Sequence, residues 1–170
     1  YNEEHNFFDR LETISDFTRG YLDAIMRAQQ NVYGIFFLED LLTPDIIADL
    51  QKAAPYTPMS DGTESAAYVY ANYFLCRKIT ARERLSLLKQ VSDRFSLKLY
   101  THNPVPELPN AQFMGPVDWY STMPLIFRHS RINLNISLKS IHTGVPLRCM
   151  DILGSGGFLL TNYQEDLLDL

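Results

Sequence analysis

The sequence predicts an α/β protein in which a mostly helical first half, residues 1–94, precedes a parallel sheet formed by residues 95–170. In the first half, apolar residues recur every three or four positions, as they do on the buried face of a helix. From residue 95 onward, short alternating apolar segments are separated by helical ones, which is typical of a parallel sheet. Residues 132–163 show this best, because they read as strand, loop, helix and strand with glycines at the junctions.

Composition limits the classes of protein to be considered. The 170 residues are 46% hydrophobic and 21% charged, as in an ordinary globular protein. A net charge of −5 without a basic run argues against nucleic acid or an anionic membrane as the main partner. Cys76 and Cys149 are predicted to be reduced thiols in a cytoplasmic protein. No apolar run approaches the roughly 20 residues of a membrane span.

The first long helix is predicted near residues 7–29, from apolar side chains that recur on one face. These side chains are Phe7, Leu11, Ile14, Phe17, Tyr21, Ile25 and Ala28. The apolar run 35–38 is compatible with a buried strand or a helical turn, and periodicity does not separate the two. Thr43 and Pro44 then mark a second helix that reaches about Ala53, with the threonine as N-cap.

Two further helical segments complete the first half. Residues 66–75 fit helix or strand, and we favour helix because a strong helical pattern follows at once. Thr80 and Glu83 form a T-x-x-E pattern, which predicts a capping box and a helix through about Val91.

The second half is predicted to alternate strands with helices. Residues 95–100 alternate apolar and polar side chains as a strand does, and residues 112–114 form a second short strand. A helix over 118–128 follows, with Ser121 or Thr122 as its cap.

The last part of the chain is predicted to form a crossover unit. A strand over 132–137 leads to a helix that Gly144 and Pro146 open and the glycines of 154–157 close. An apolar strand follows, and residues 164–170 begin another helix.

The loop ahead of this helix has the composition of an anion site. Ser140, Thr143 and Gly144 lie where N–H groups of the helix start are free, which suits a diphosphate. Lys139 and Arg148 add positive charge. Plain helix capping beside solvated cations explains the same spacing equally well, because the pattern is neither G-x-G-x-x-G nor a P-loop.

Polar residues on the strand and helix beside this loop also allow two interpretations. Asn133 and Asn135 alternate with apolar residues, and a buried amide needs a partner. They bond neighbouring loops, or Asn135 contributes to a ligand pocket at the carboxyl end of the strand. Asp151 follows Arg148 by three residues, either as a surface ion pair or as an acceptor for sugar hydroxyls.

No other pattern specifies a reaction. His142 lies closest to the loop but lacks a carboxylate or hydroxyl partner at a defined spacing, so it is a weak catalytic candidate. Histidine, cysteine and carboxylate residues show no metal-ligand spacing, and we expect no metal. The extra glycines of 154–157 let a strand or ligand approach closely, or simply form the turn.

A longer pattern covers residues 140–159, which read S-x-x-x-G-x-P-x-R-x-x-D-x-L-G-x-G-G-F-L. Together with the runs GPVDWYSTMP and FRHSRINLNISLK, it resembles the CgeB-type, spore-maturation-protein-like glycosyltransferases of bacteria. The likeness is close over about 113–170 and looser upstream, through YANYFLCRKITARERLSLL and KLYTHN.

The resemblance implies a GT-B fold, in which this chain supplies part of a Rossmann-like domain that binds a nucleotide-diphosphate sugar, UDP-linked and without a metal. In that group a helix start binds the diphosphate, and a carboxylate at the position of Asp151 binds the ribose. Lys139 and Arg148 would stabilise the leaving diphosphate. The group often carries a second carboxylate where this chain has Thr143, so the likeness does not fix the stereochemistry.

The resemblance also implies an N-terminal acceptor domain and further C-terminal elements. The chain lacks an initiator methionine and stops inside an apparent helix, so we expect a fragment of a longer protein that is inactive by itself. Two alternatives remain: a non-catalytic α/β scaffold or interaction module derived from a glycosyltransferase, and a different α/β nucleotide-binding domain.

Overall fold

A computed structural model describes residues 7–169, which divide into two compact units. Within the described residues, the helical unit comprises 7–81 and the loop 138–142, and the α/β unit comprises 82–137 and 143–169. The boundary lies within a helix, so residues 82–94 belong to the α/β unit. Residues 1–6 of the predicted helical segment and Leu170, in the last predicted helix, lie outside the described residues.

The helical unit consists of helices joined by loops. A 3-10 helix at Phe7–Arg10 is followed by α1 (Asp16–Gln30), α2 (Pro44–Ala53), α3 (Ala66–Val69), a π-helical turn (Tyr70–Leu75) and the first residues of α4 (Cys76–Ser92). The helix favoured over 66–75 is thus confirmed, although it contains a π turn. The run 35–38 is neither a strand nor a helix, since it is a loop that leads into a turn.

Every helix of this unit contributes to one apolar core. Its fully buried side chains include Leu22, Met26, Leu38, Leu50, Leu75 and Ile79. Each such side chain stabilises the fold by roughly 2 kcal/mol relative to exposure. Thr43 is the N-cap of α2 and Pro44 its first residue, as predicted.

Helix α1 begins later than the sequence pattern predicts. Ser15 is its N-cap, and the Ser15 hydroxyl accepts a hydrogen bond from the Thr18 N–H at 3.2 Å. Phe17, which was predicted on the buried face, is 75% exposed, whereas Leu22 is fully buried. The prediction of one helix over 7–29 is therefore wrong at its start, because a serine that satisfies a free N–H group fixes where the helix begins.

The capping box predicted at Thr80 and Glu83 is wrong, because α4 continues through both residues. Thr80 is buried, and its hydroxyl donates to the Cys76 carbonyl oxygen at 2.8 Å. A threonine hydroxyl can bond to the preceding helical turn as well as cap a new helix. The local pattern alone therefore did not distinguish a helix start from a helix interior.

Asp49 of α2 binds the start of α1. The Ser15 N–H donates to Asp49 Oδ2 at 2.9 Å. This bond, followed by those from the Thr18 and Ser15 hydroxyls, lowers the pKa of Asp49 from 3.8 to about 2. Because the folded state has the lower pKa, the stabilisation is complete above about pH 4 and is lost as the pH falls through about 2.

We expect Asp49→Asn to reduce the pH dependence of stability between pH 4 and pH 2. Urea unfolding of both proteins across this range measures the slope of the unfolding free energy against pH. Asp40→Asn is the control, because Asp40 is exposed in a turn of the same unit. An Asp49→Asn slope equal to that of the wild type would contradict the assignment.

The α/β unit contains parallel strand pairs and short helices. Its elements are the remainder of α4, β1 (Lys98–Leu99), β2 (Gln112–Phe113), α5 (Met123–His129), β3 (Asn133–Asn135), α6 (Leu147–Gly154), β4 (Leu159–Thr161) and a 3-10 helix (Glu165–Leu167). β1 pairs with β2 and β3 with β4, both parallel. The α/β class is thus confirmed, but these strands form two two-stranded sheets and are shorter than predicted.

Helix α5 begins at Met123, five residues later than predicted. Asp118 Oδ1 accepts hydrogen bonds from the N–H groups of Tyr120 and Ser121 and from the Ser121 hydroxyl. The Ser121 hydroxyl contributes most to lowering the pKa of Asp118. Thr122 occupies the N-cap position without a side-chain capping bond. The aspartate turn replaces the predicted first helical turn, since its bonds compete with helix formation.

Two small apolar clusters stabilise this unit. Leu134 of β3 packs against a cluster around Leu88 and Leu108, and Ile152 of α6 packs with Phe127 of α5. Across residues 7–169, no helix combines the length and hydrophobicity that crossing a membrane requires.

Candidate functional site

The β3–α6–β4 crossover brings two segments of chain to one edge of a sheet. β3 and β4 run parallel, so the loop after β3 and the segment after β4 both start at this edge. Two hydrogen bonds join them. The Ser137 N–H donates to Asn162 Oδ1 at 2.9 Å, and the Gly144 N–H donates to the carboxylate of Asp166. Open α/β sheets bind ligands at this edge.

The polar side chains of β3 are the buried ones. Asn133 donates to the Phe127 carbonyl oxygen at 2.8 Å. Asn135 Nδ2 lies 2.9 Å from Ser137 Oγ, 3.0 Å from Thr161 Oγ1 and 3.3 Å from Cys149 Sγ. Bonds to neighbouring elements therefore account for the donors of both amides, and a ligand contact of Asn135 stays a prediction.

Lys139 and Ser140 lie in the helical unit. The Lys139 N–H donates to Thr80 Oγ1 at 3.0 Å, and its ammonium nitrogen lies 3.7 Å from the centre of the Tyr33 ring. An ammonium over an aromatic face is an attractive contact. The charge of Lys139, predicted to contact a diphosphate, is thus engaged with an aromatic ring of its own unit.

His142 is the last residue of the loop 138–142, which belongs to the helical unit. Its ring packs on Phe36, with 4.0 Å between the ring centres. Burial lowers the pKa of His142, and Glu39 acts in the opposite direction. The contact explains His142 as a packing residue.

Gly144 lies in the α/β unit, in the loop that precedes α6. Its φ angle of +85° belongs to the left-handed region, which glycine adopts without strain. The neighbouring Thr143 is exposed. The prediction that the Gly144 N–H is free is wrong, because the Asp166 carboxylate accepts a hydrogen bond from it.

Arg148 extends from the first turn of α6 over two aromatic rings. Its guanidinium carbon lies 4.7 Å from the centre of the Trp119 ring and 5.9 Å from that of Phe127. Partial burial lowers the pKa of Arg148, while Asp151 and Cys149 raise it. The rings restrict the guanidinium to one region, which favours recognition of an anion there.

Arg84 is a second cation of this site, and sequence reasoning missed it. Its Nε and one terminal nitrogen donate to the Ile136 carbonyl oxygen, just beyond β3, at 3.2 and 2.8 Å. Burial lowers the pKa of Arg84, and the positive charge of Arg148 lowers it further, while Glu83 acts in the opposite direction. In the described part of the chain, neither guanidinium forms an ion pair with a carboxylate.

Asp151 lies one turn after Arg148 on α6 and is half-buried. No hydrogen bond or ion pair of its carboxylate occurs among residues 7–169. The buried thiol of Cys149 lies between them in sequence, and burial raises its pKa. The carboxylate oxygens of Asp151 can therefore accept hydrogen bonds from a ligand.

The α/β unit therefore contains five of the seven residues predicted for the site: Asn135, Thr143, Gly144, Arg148 and Asp151. It adds Arg84, Trp119 and Asp166, while Lys139 and Ser140 lie in the helical unit. Among residues 7–169, no three histidine, cysteine or carboxylate residues converge as metal ligands would.

The fold and site define an α/β protein whose crossover loop ends in a cationic helix start. The chain belongs to a family described as glycosyl transferase-like, whose model matches residues 77–170, more than half of its length. This match supports the glycosyltransferase resemblance in its general form and a role in glycosyl transfer. No curated protein and no solved structure matches the chain significantly.

Proposed function

We propose that this chain supplies the donor-binding part of a CgeB-type glycosyltransferase of the GT-B fold. Its α/β unit would then be part of a Rossmann-like domain that binds a UDP-linked sugar. The diphosphate binds between Arg84 and Arg148 at the carboxyl end of β3. Asp151 accepts hydrogen bonds from the ribose, and Thr143 and Gly144 contact the diphosphate from the loop.

The observation that carries this proposal is the pair formed by Arg84 and Arg148. Arg84 is partly buried whereas Arg148 is exposed; burial lowers the pKa of Arg84 most, and the positive charge of Arg148 lowers it further. Glu83 and Asp151 act in the opposite direction on Arg84 and Arg148, but neither forms an ion pair with them in the described part of the chain. Two like charges close enough to interact favour a bound anion. Guanidinium groups bind phosphate oxygens in a bidentate manner, so a diphosphate satisfies both.

The reaction requires such cations. When the bond between the sugar C1 and the diphosphate oxygen breaks, the electron pair stays on that oxygen; the acceptor hydroxyl oxygen forms the new bond to C1 and gives up its proton to a base or to the released diphosphate. Positive groups fixed beside the leaving oxygen stabilise the charge that develops there. Arg84 and Arg148 are the residues to which we assign this role. Lys139, whose ammonium lies over the Tyr33 ring, remains a predicted further contact of the diphosphate.

We expect Arg84→Ala and Arg148→Ala each to weaken binding of UDP by about tenfold, because each removes a charge-assisted contact. Isothermal titration of the 170-residue chain with UDP, and separately with inorganic pyrophosphate, measures the affinities. Arg128→Ala is the matched control, since Arg128 is an exposed arginine of α5. Its affinity should match that of the wild type.

Two results would contradict the proposal. One is a wild-type chain that binds neither UDP nor pyrophosphate. The other is a loss of affinity that Arg128→Ala shares with the two test variants, which would indicate a nonspecific effect of net charge. Thermal unfolding of each variant establishes that it is folded before its affinity is compared.

A non-catalytic scaffold derived from a glycosyltransferase is the second candidate. Its specific support is that two donors of the site, the Gly144 N–H and the side-chain amide of Asn135, already form hydrogen bonds within the chain. An absence of nucleotide binding in a longer protein that contains this chain would favour the scaffold.

A further inference from the structure

The carboxylate of Asp166 accepts a hydrogen bond from the Gly144 N–H, the same group that the proposed function assigns to a phosphate oxygen. Asp166 lies in the 3-10 helix that follows β4. A carboxylate and a phosphate are both anionic acceptors, so they compete for such a donor. The amide is therefore occupied by a group that resembles the ligand in charge.

A second contact shows that the segment after β4 is shaped to accept hydrogen bonds from the loop. Asn162 Oδ1 accepts a hydrogen bond from the Ser137 N–H at 2.9 Å. Gln164, between the two acceptors in sequence, is buried. Two side chains that follow β4 thus satisfy two N–H groups of the loop after β3.

The two contacts differ in chemistry. Asn162 is neutral and accepts from Ser137, directly beyond β3, whereas Asp166 is charged and accepts from Gly144, beside the start of α6. In the described part of the chain, no cation forms an ion pair with Asp166. A second anion at Gly144 would repel the Asp166 carboxylate and displace it.

We propose that Asp166 is an internal competitor of the diphosphate, and that nucleotide binding requires its carboxylate to leave the Gly144 N–H. This inference rests on the proposed function and adds a regulatory contact to the same site. The same contact lowers the affinity for the ligand, because the bond to Gly144 must break first.

Asp166→Asn tests the proposal, because asparagine keeps an acceptor oxygen and removes the charge. We expect this variant to bind inorganic pyrophosphate and UDP about five- to tenfold more tightly than the wild type. Glu165→Gln is the matched control, since Glu165 is the exposed neighbouring carboxylate, and its affinity should match the wild type.

The amide resonance of Gly144 gives a readout at the contact itself. In a ¹H–¹⁵N spectrum it should shift in Asp166→Asn, and in the wild type it should shift on saturation with pyrophosphate. A wild-type Gly144 resonance that does not move on saturation would overturn the proposal.

The titrations separate this proposal from the function on which it rests. Equal or weaker binding by Asp166→Asn, with affinity still lost in Arg148→Ala, overturns the role of Asp166 and leaves the donor site standing. Failure of both the wild type and Asp166→Asn to bind either ligand overturns both. Tighter binding by Glu165→Gln as well would show a general effect of charge and would also overturn the role of Asp166.

Discussion

Gly157→Ala is expected to lower the free energy of unfolding by about 3 kcal/mol, the upper range for overpacking a tight site. A Cβ at this position would lie 2.6 Å from the Phe127 carbonyl oxygen, 2.8 Å from Asn133 Nδ2 and 3.1 Å from the Ile152 carbonyl oxygen. Two of these atoms are backbone and cannot yield without moving α5 or α6. The third donates to the Phe127 carbonyl oxygen. Urea unfolding followed by circular dichroism measures the loss.

Gly154→Ala is the matched control for this prediction. Gly154 is the last residue of α6, and nothing lies within 4 Å of the position that its Cβ would occupy. We expect this variant to be as stable as the wild type or slightly more stable, since alanine is the better helix former. If the two variants unfold at the same urea concentration, the close approach at Gly157 is wrong.

Local chemistry explains which helices could be predicted from the sequence. Thr43 and Pro44 specify the start of α2 because capping involves neighbouring residues only. Ser15 offered an equally local signal for α1, but the apolar pattern that continues on both sides of it obscured that signal. Thr80 shows the opposite error, because its capping pattern is overridden by packing in the helix interior.

The site shows a similar division between local and tertiary information. The glycines and the apolar pattern predicted the order of strand, loop, helix and strand. Gly144 has a positive φ angle, a local backbone conformation for which a glycine in the sequence is a direct signal. Arg84 could not be predicted, because the carbonyl that it binds lies 52 residues away on another element. The contact of Asp166 with Gly144 likewise joins residues 22 positions apart, and no local pattern pairs them.

Asn135→Ala is expected to lower the free energy of unfolding by about 2 kcal/mol, because buried acceptors lose their donor. The Asn135 side chain is only 8% exposed, and its amide nitrogen reaches Ser137, Cys149 and Thr161. These three residues lie on the loop after β3, on α6 and on β4. One amide thus connects all parts of the crossover.

Asn110→Ala is the control for stability, since Asn110 makes an exposed side-chain hydrogen bond to Asp93 in the same unit. It should cost less than about 0.5 kcal/mol. Affinity then separates the two interpretations of Asn135. At a temperature where Asn135→Ala remains folded, a purely structural amide predicts UDP affinity within about twofold of the wild type, whereas a ligand contact predicts a loss of about tenfold. An unchanged unfolding free energy in Asn135→Ala would contradict the structural assignment, because the buried acceptors would then have other donors.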